Sequence, residues 1–188
     1  MRDLRWMTAL AVLLCPLLAA CGAAKFHSAP PSRSEVRRSL QGSPPALAQL
    51  HDQANRLLPG GVTAFNARLR ALRGHPVVVN KWASWCGPCQ SEFPTFQRAA
   101  VKYGRQVAFV GLDGNDHDGS ASSFLRRFPV TYPSYVDPRS AIAGTIGAAS
   151  YFPMTVYITP SGHRVFEHAG PYATEASLEH DIRFYLLK

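Results

Sequence analysis

The chain has 188 residues, with 20 basic and 12 acidic side chains and a formal net charge of +8 at pH 7. After its flanking segments, residues 46–188 remain, which is the size of one domain with an ample core. The lysines and arginines are scattered and no recognition motif accompanies them, so we expect no nucleic-acid partner.

The first 20 residues predict a signal peptide. A short basic segment, Met1–Arg5, precedes a nearly continuous apolar stretch, Trp6–Ala20, which is too short to span a bilayer comfortably. Leu18–Gly22 then resembles the bacterial lipobox, in which the peptide is cut before a cysteine that becomes acylated. We therefore expect Cys21 to be a lipid anchor. The alternative is an ordinary signal peptide cleaved nearby, with an incidental cysteine.

Residues 21–45 predict a disordered tether behind the lipidated Cys21. The stretch from Ala23 to Pro45 contains five prolines or glycines and little apolar periodicity, so it buries too little surface to fold. Without residues 1–20 the chain keeps 18 basic and 11 acidic residues, a net charge of +7. The expected location is extracytoplasmic, on a membrane whose anionic headgroups attract the basic domain.

Residues 46–188 predict one α/β domain. Two amphipathic helices, Ala46–Leu58 and Val62–Leu72, precede a short buried strand, Val77–Trp82, and a helix, Gln90–Tyr103. A second buried strand, two helices, two hairpin strands and a final helix are predicted at Gln106–Leu112, Ser120–Phe128, Pro138–Gly147, Met154–Thr159, His163–His168 and Thr174–Leu187. Strands that alternate with helices and end in a hairpin indicate a sheet with helices on both faces.

A Cys-x-x-Cys motif, Cys86–Cys89, stands between the first predicted strand and the helix that follows it. This arrangement puts the first sulfur at a helix N-terminus, where unsatisfied backbone N–H groups and the macrodipole favour an anion. The thiolate is the nucleophilic form of cysteine. The motif therefore predicts a thiol-disulfide exchange centre.

Metal binding is the alternative interpretation of the cysteine pair. A zinc site needs two further ligands, which His163 and His168 could supply in principle, but they flank one predicted strand. The segment Asp113–Gly119 resembles a calcium loop in composition, yet its acidic spacing fails the EF-hand pattern, so a solvated loop is expected. We expect neither a metal nor another cofactor.

The run Val77–Pro94 resembles the TlpA/ResA/CcmG group of membrane-tethered, thioredoxin-fold disulfide reductases, which include bacterial lipoproteins. The resemblance extends from about residue 60 to the end of the chain and is strongest over this run and Tyr151–Gly162. It implies a thioredoxin fold with a central mixed sheet, helices on both faces, and an insertion between the redox helix and the cis-proline segment. The expected insertion is Asp113–Pro138.

The resemblance also assigns roles to residues of the predicted site. Cys86 matches the exposed cysteine that attacks a substrate disulfide, and Cys89 matches the more buried cysteine that resolves the mixed disulfide. A thiol one helical turn away has a high effective concentration, so the mixed disulfide collapses quickly. Pro153 matches the cis-proline that faces the pair. The other expected substrate-binding residues are Trp85, Gly87, Pro88 and Phe152.

Three polar residues near the motif carry further expectations. Glu92 matches an acidic residue near the pair, and it is expected to exchange a proton with the cysteines. The alternative is a solvated glutamate in the second turn of a helix. Asn80 stands where cytosolic thioredoxins carry a buried aspartate, and an amide cannot act as a base. Lys81 stands where an aromatic residue is common, and it is expected at the surface.

The implied function is an exported, membrane-tethered thiol-disulfide oxidoreductase that acts on protein thiols and disulfides through a Cys86 mixed disulfide. The favoured direction is reduction, for example of apocytochrome c cysteines, with electrons supplied by a transmembrane donor protein. The first alternative is an oxidase that forms disulfides in exported proteins. Peroxidase chemistry is disfavoured because Ala83 stands where a Thr or Ser is needed. A copper-binding or chaperone module is disfavoured by the short cysteine spacing.

Overall fold

The structure is a computed structural model that describes residues 30–187. Its seven described helices are α1 Arg33–Leu40, α2 Pro45–His51, α3 Gly61–Ala71, α4 Gly87–Tyr103, α5 Asp118–Arg127, α6 Ala141–Thr145 and α7 Glu175–Leu186. Its six described strands are β1 Leu57–Leu58, β2 Val77–Trp82, β3 Ala108–Gly114, β4 Ser134–Asp137, β5 Met154–Ile158 and β6 Arg164–Ala169. The predicted signal peptide and Cys21 lie outside the described residues. Within 30–187, no helix has both the length and the apolar character needed to cross a bilayer.

The six strands form one mixed sheet in the order β1-β4-β3-β2-β5-β6. The first four strands of this order are mutually parallel, and β5 and β6 are antiparallel to their neighbours. Consequently the carboxyl ends of β2, β3 and β4 and the amino end of β5 meet at one edge of the sheet. Loops that leave this edge converge on the segment after Trp82.

Helices cover both faces of the sheet, as the sequence predicts. Alternate residues of β2 enter two different cores: Val78 and Trp82 pack with α4, α5 and α7, and Val77 and Val79 pack with α2, α3 and α6. Because both faces are covered, all six residues of β2 are buried, including the polar Asn80 and Lys81. The central strand is therefore fixed from both sides.

The predicted insertion contains one helix and one strand, α5 and β4. Residues 113–138 leave β3, form α5, and return as β4, which inserts between β3 and β1. Strand β4 was not predicted from the sequence, because it has only four residues and follows a proline. Hydrogen bonds to β3 stabilise this strand, although the local sequence does not predict it.

The expected disorder of the tether is wrong for residues 33–40, which form helix α1. Ser32 and Glu35 build a reciprocal capping box at its start, and Glu35 Oε2 lies 2.7 Å from the Ser32 N–H that donates to it. The helix buries no residue completely, but Leu40 lies against Gly104 at the end of α4. Local capping and one apolar contact thus order a segment whose composition predicts disorder.

The predicted helix Ala46–Leu58 is also shorter than expected, because α2 ends at His51 and Leu57–Leu58 form β1. Asn55 lies in the turn between α2 and β1: its φ is 60°, and its side chain bonds the carbonyl of Leu125 and the N–H of Val130. These partners are 70 and 75 positions away in the chain. Tertiary contacts therefore hold the turn that follows this helix.

Candidate active site

The two cysteines of the motif form a disulfide at the start of α4. The S–S distance is 2.01 Å and the two Cα atoms are 5.2 Å apart. Cys86 is the N-cap residue, and its Sγ accepts a hydrogen bond from the Cys89 N–H at 3.2 Å. The expected exposure of Cys86 is wrong, because Cys86 is only 4% exposed; it is still more accessible than Cys89, which is fully buried.

The loop that carries Cys86 is held by the loop after β3. Asp116 accepts hydrogen bonds from the Ser84 N–H and, at 2.8 Å, from the Ser84 hydroxyl. The Trp85 indole N–H donates to the Asn115 carbonyl at 2.9 Å. No role was predicted for Ser84, Asn115 or Asp116. Their proximity could have been predicted, since parallel strands β2 and β3 end at the same edge and bring their following loops together.

An aromatic rim borders the disulfide. We define it as Trp85, Tyr151 and Phe152; Trp85 is 59% exposed and Tyr151 is 61% exposed. The rings of Trp85 and Phe152 lie 5.0 Å apart, and the Phe152–Pro153 peptide bond is cis. Pro153 directly precedes Met154, which pairs with Lys81 of β2, so this proline lies at the edge that also bears the cysteines. Gly87 and Pro88 are exposed beside the rim.

Glu92 lies one helical turn after Cys89 and is completely buried. Its carboxylate accepts hydrogen bonds from the Asn80 side-chain amide at 2.8 Å and from the Tyr172 N–H at 3.1 Å. Burial raises the pKa of Glu92 to about 7, against the opposing effect of the two hydrogen bonds. The alternative of a solvated glutamate is therefore wrong, because α7 and the preceding loop cover this side of α4.

Lys81 is also completely buried, so its expected place at the surface is wrong. Its Nζ donates to the Ala149 carbonyl at 2.8 Å and lies 3.8 Å from the centroid of the Phe152 ring. Burial lowers the pKa of Lys81, and the nearby negative charge of Asp137 raises it by a smaller amount. The side chain is buried because helices cover both faces of β2. The residues next to Lys81 in the sequence do not predict this covering.

The described part of the chain contains no group of three or more His, Cys, Asp or Glu residues that could hold a metal ion. The imidazole of His168, one of the two histidines considered for a zinc site, stacks on the Tyr172 ring with 4.0 Å between centroids. The two cysteines are joined to each other. The arrangement at the sheet edge is thus a disulfide, an aromatic rim and a buried carboxyl group.

Comparison with known proteins supports this description. A thiol:disulfide interchange protein DsbE homologue from Paracoccus denitrificans is 34% identical over 119 residues, which cover 63% of each chain. The thiol-disulfide oxidoreductase ResA of Bacillus thuringiensis is 29% identical over 108 residues, 57% of this chain and 62% of that one. The structure of DsbF from MTB superposes with a TM-score of 0.56 at 26% identity and covers 61% of this chain and 84% of that one.

Fold and site together define a thioredoxin-fold protein with a Cys-x-x-Cys centre, as the resemblance implies. The AhpC/TSA family model matches residues 60–163, more than half of the chain, and the chain belongs to this family. The chain spans a little over three fifths of the length of the curated relatives described above.

Proposed function

We propose that this chain is a thiol-disulfide oxidoreductase that exchanges disulfides with protein substrates through Cys86. The observation that carries the proposal is the Cys86–Cys89 disulfide at the N-terminus of α4, with the first sulfur at the N-cap. The backbone N–H of Cys89 and the helix dipole stabilise negative charge on Cys86 Sγ. Names of relatives from Paracoccus and Bacillus support the same activity.

In the reducing direction the Cys86 thiolate attacks one sulfur of a substrate disulfide. A Cys86–substrate bond forms, the substrate S–S bond breaks, and the other substrate sulfur leaves as a thiolate that takes up a proton. The Cys89 thiol then loses its proton and attacks Cys86 Sγ, which restores the Cys86–Cys89 disulfide and releases the second substrate thiol. The pair loses two electrons and the substrate disulfide gains them.

Glu92 is our candidate for the group that exchanges protons with the pair. It lies three residues after Cys89 on the same helix, and its pKa of about 7 suits a group that both accepts and donates a proton near neutral pH. Asn80 cannot exchange protons with the pair, because a side-chain amide does not titrate near neutral pH. It instead holds the Glu92 carboxylate through the 2.8 Å hydrogen bond.

We further propose that the chain works outside the cytoplasm as a lipoprotein anchored through Cys21, in the reducing direction. The dipeptide Gly87–Pro88, typical of reducing thioredoxins, supports this direction, and the lipobox-like Leu18–Gly22 supports the anchor. Cysteines of apocytochrome c are the proposed client, and a transmembrane protein is the proposed electron donor. Cytosolic thioredoxin does not reach an exported domain.

The first experiment measures the reduction potential of the Cys86/Cys89 pair. The chain is equilibrated with dithiothreitol or glutathione buffers, and free thiols are trapped. We expect a value near that of thioredoxin, about −270 mV. A value near −120 mV, as in the strong oxidant DsbA, would contradict the reducing direction and favour disulfide formation.

The exchange itself is tested by trapping. In Cys89→Ala, the mixed disulfide between Cys86 and a substrate lacks the thiol that resolves it, so a covalent complex should accumulate on non-reducing gels. The matched variant Cys86→Ala removes the attacking sulfur and should form no complex. Equal complex formation by both variants would refute the assigned roles.

A further inference from the structure

The exchange chemistry described above makes no use of Lys81, although burying its ammonium group is costly. An ammonium loses favourable hydration when it leaves water, unless polar or charged partners replace that water. Asp137 offsets part of this cost through its nearby negative charge. The Asp137 carboxylate also accepts hydrogen bonds from the N–H groups of Ile142 and Ala143 at the start of α6.

The direct contacts of the Lys81 ammonium are on the segment that precedes Pro153. It donates to the carbonyl of Ala149 at one end of this segment and lies 3.8 Å from the Phe152 ring centroid at the other end. A cation over an aromatic face is attracted to it, and more strongly where water is excluded. One buried side chain thus holds both ends of Ala149–Phe152.

The backbone of β3 shows how closely this contact is packed. A Cβ at Gly114 would lie 2.9 Å from Phe152 Cζ and 3.3 Å from Lys81 Cε, so a side chain there would displace the ring or the lysine stem. The Phe152 ring also contacts Trp85, which precedes the attacking cysteine. A continuous series of contacts therefore runs from Lys81 through Phe152 to Trp85.

We propose that Lys81 is a positioning residue that holds the aromatic rim in place for substrate binding. This inference rests on the proposed exchange function and adds a specificity determinant to it. The rim presents apolar surface next to Cys86, so it fits protein segments that carry an apolar side chain beside the reacting cysteine. Lys81 acts through Phe152 and does not touch the reacting sulfurs.

The test compares a peptide disulfide with a small disulfide. The reduced full-length chain in detergent reacts with a synthetic peptide whose single cysteine, flanked by leucines, is joined to thionitrobenzoate. Release of thionitrobenzoate reports the exchange in single turnovers, so KM denotes the half-saturating peptide concentration and kcat the maximal rate constant. In Lys81→Met, which keeps the length but removes the charge, we expect KM for the peptide to rise about fivefold, with kcat and the rate with a small aromatic disulfide within twofold of wild type.

Two further variants make the comparison specific. Phe152→Leu should raise the peptide KM by a similar factor, and the double variant should be no worse than either single variant, since both remove the same contact. Lys102→Met, at an exposed lysine of α4, should leave KM unchanged. Unchanged KM in Lys81→Met, or additive effects in the double variant, would overturn the proposal.

A spectroscopic measurement covers the case in which Lys81→Met does not fold. The chain has four lysines, and the Lys81 ε-methylene protons should show an upfield ring-current shift that disappears in Phe152→Leu. Absence of such a resonance in the wild-type chain would overturn the inference. A wild-type chain that releases no thionitrobenzoate would instead refute the proposed function, and the positioning role with it.

Discussion

Two ionisable side chains of opposite charge lie buried on opposite faces of β2, close to the redox pair. Glu92 reaches the face covered by α4 and bonds Asn80, whereas the next residue, Lys81, enters the opposite core. Each shifts toward its neutral form, because burial removes the water that stabilises the charge. At the residue scale, the proposed proton exchange and the proposed substrate positioning thus lie on opposite faces of β2.

The raised pKa of Glu92 predicts a dependence of stability on pH. The folded chain keeps the Glu92 proton up to about pH 7, whereas the unfolded chain releases it near pH 4.5. Between these values the folded state binds more protons, so the contribution of Glu92 to the free energy of unfolding falls as pH rises. The total decline is on the order of 3 kcal/mol.

Glu92→Gln should remove this decline, since an amide does not ionise. Urea unfolding of the oxidised chain at pH 5 and pH 8 measures it. The control, Glu175→Gln, removes a partly exposed carboxyl group that pairs with Arg98, and it should keep the wild-type decline. An equal decline in Glu92→Gln and the wild-type chain would show that Glu92 does not titrate in this range.

At the scale of elements, the insertion depends on a close approach between β3 and β4. Gly111 pairs with Ser134, whose hydroxyl accepts the Trp82 indole N–H at 3.0 Å. A Cβ at Gly111 would lie 2.9 Å from both Ser134 Cβ and Trp82 Nε1. Glycine is needed here for space, because the indole and the hydroxyl fill the position that a side chain would occupy.

Gly111→Ala should therefore destabilise the chain by about 1–3 kcal/mol, the usual cost of overpacking a core. The same change at Gly144, in α6, meets open space, and it should be neutral or slightly stabilising because alanine favours a helix. Chemical denaturation of the two variants compares them directly. Equal stability of the two variants would show that β4 shifts to accommodate the methyl group added at Gly111 with no loss in the free energy of unfolding.

At the scale of the whole molecule, the redox pair and the N-terminal segment lie at opposite ends of α4. The disulfide is at the first turn, and Leu40 of α1 contacts Gly104 just after the last turn. A helix of 17 residues is about 25 Å long. The described N-terminal segment therefore contacts the end of α4 that is remote from the disulfide.

Anchoring through Cys21 predicts a change of location. Cys21→Ser should move the chain from the membrane fraction to the soluble extracytoplasmic fraction, because the acylated thiol is lost. Exchange with a peptide disulfide should stay at the wild-type rate, since the redox pair is separate from the anchor. The control Cys15→Ser, inside the predicted signal peptide, should remain in the membrane fraction. A membrane-bound Cys21→Ser chain would refute the lipid anchor.

Features that depend on the pattern of neighbouring residues can be predicted from the sequence of this chain. The apolar run Val77–Val79, the Cys86–Cys89 spacing and the helical periodicity after it predict a strand, a thiol centre and a helix, because these signals involve neighbouring residues. The fold class, the extra segment within 113–138 and the order of exposure of the two cysteines follow from the same patterns and from the family resemblance.

Features that depend on partners far along the chain become visible only in the folded protein. Lys81 is expected at the surface, and its burial follows only from the covering of both faces of β2. The burial of Glu92 likewise requires Tyr172 and Asn80, which bond its carboxylate. The turn at Asn55 after α2 and strand β4 also require partners far along the chain. Burial and hydrogen bonding in a folded sheet depend on residues of several layers, so a short stretch of sequence does not predict them.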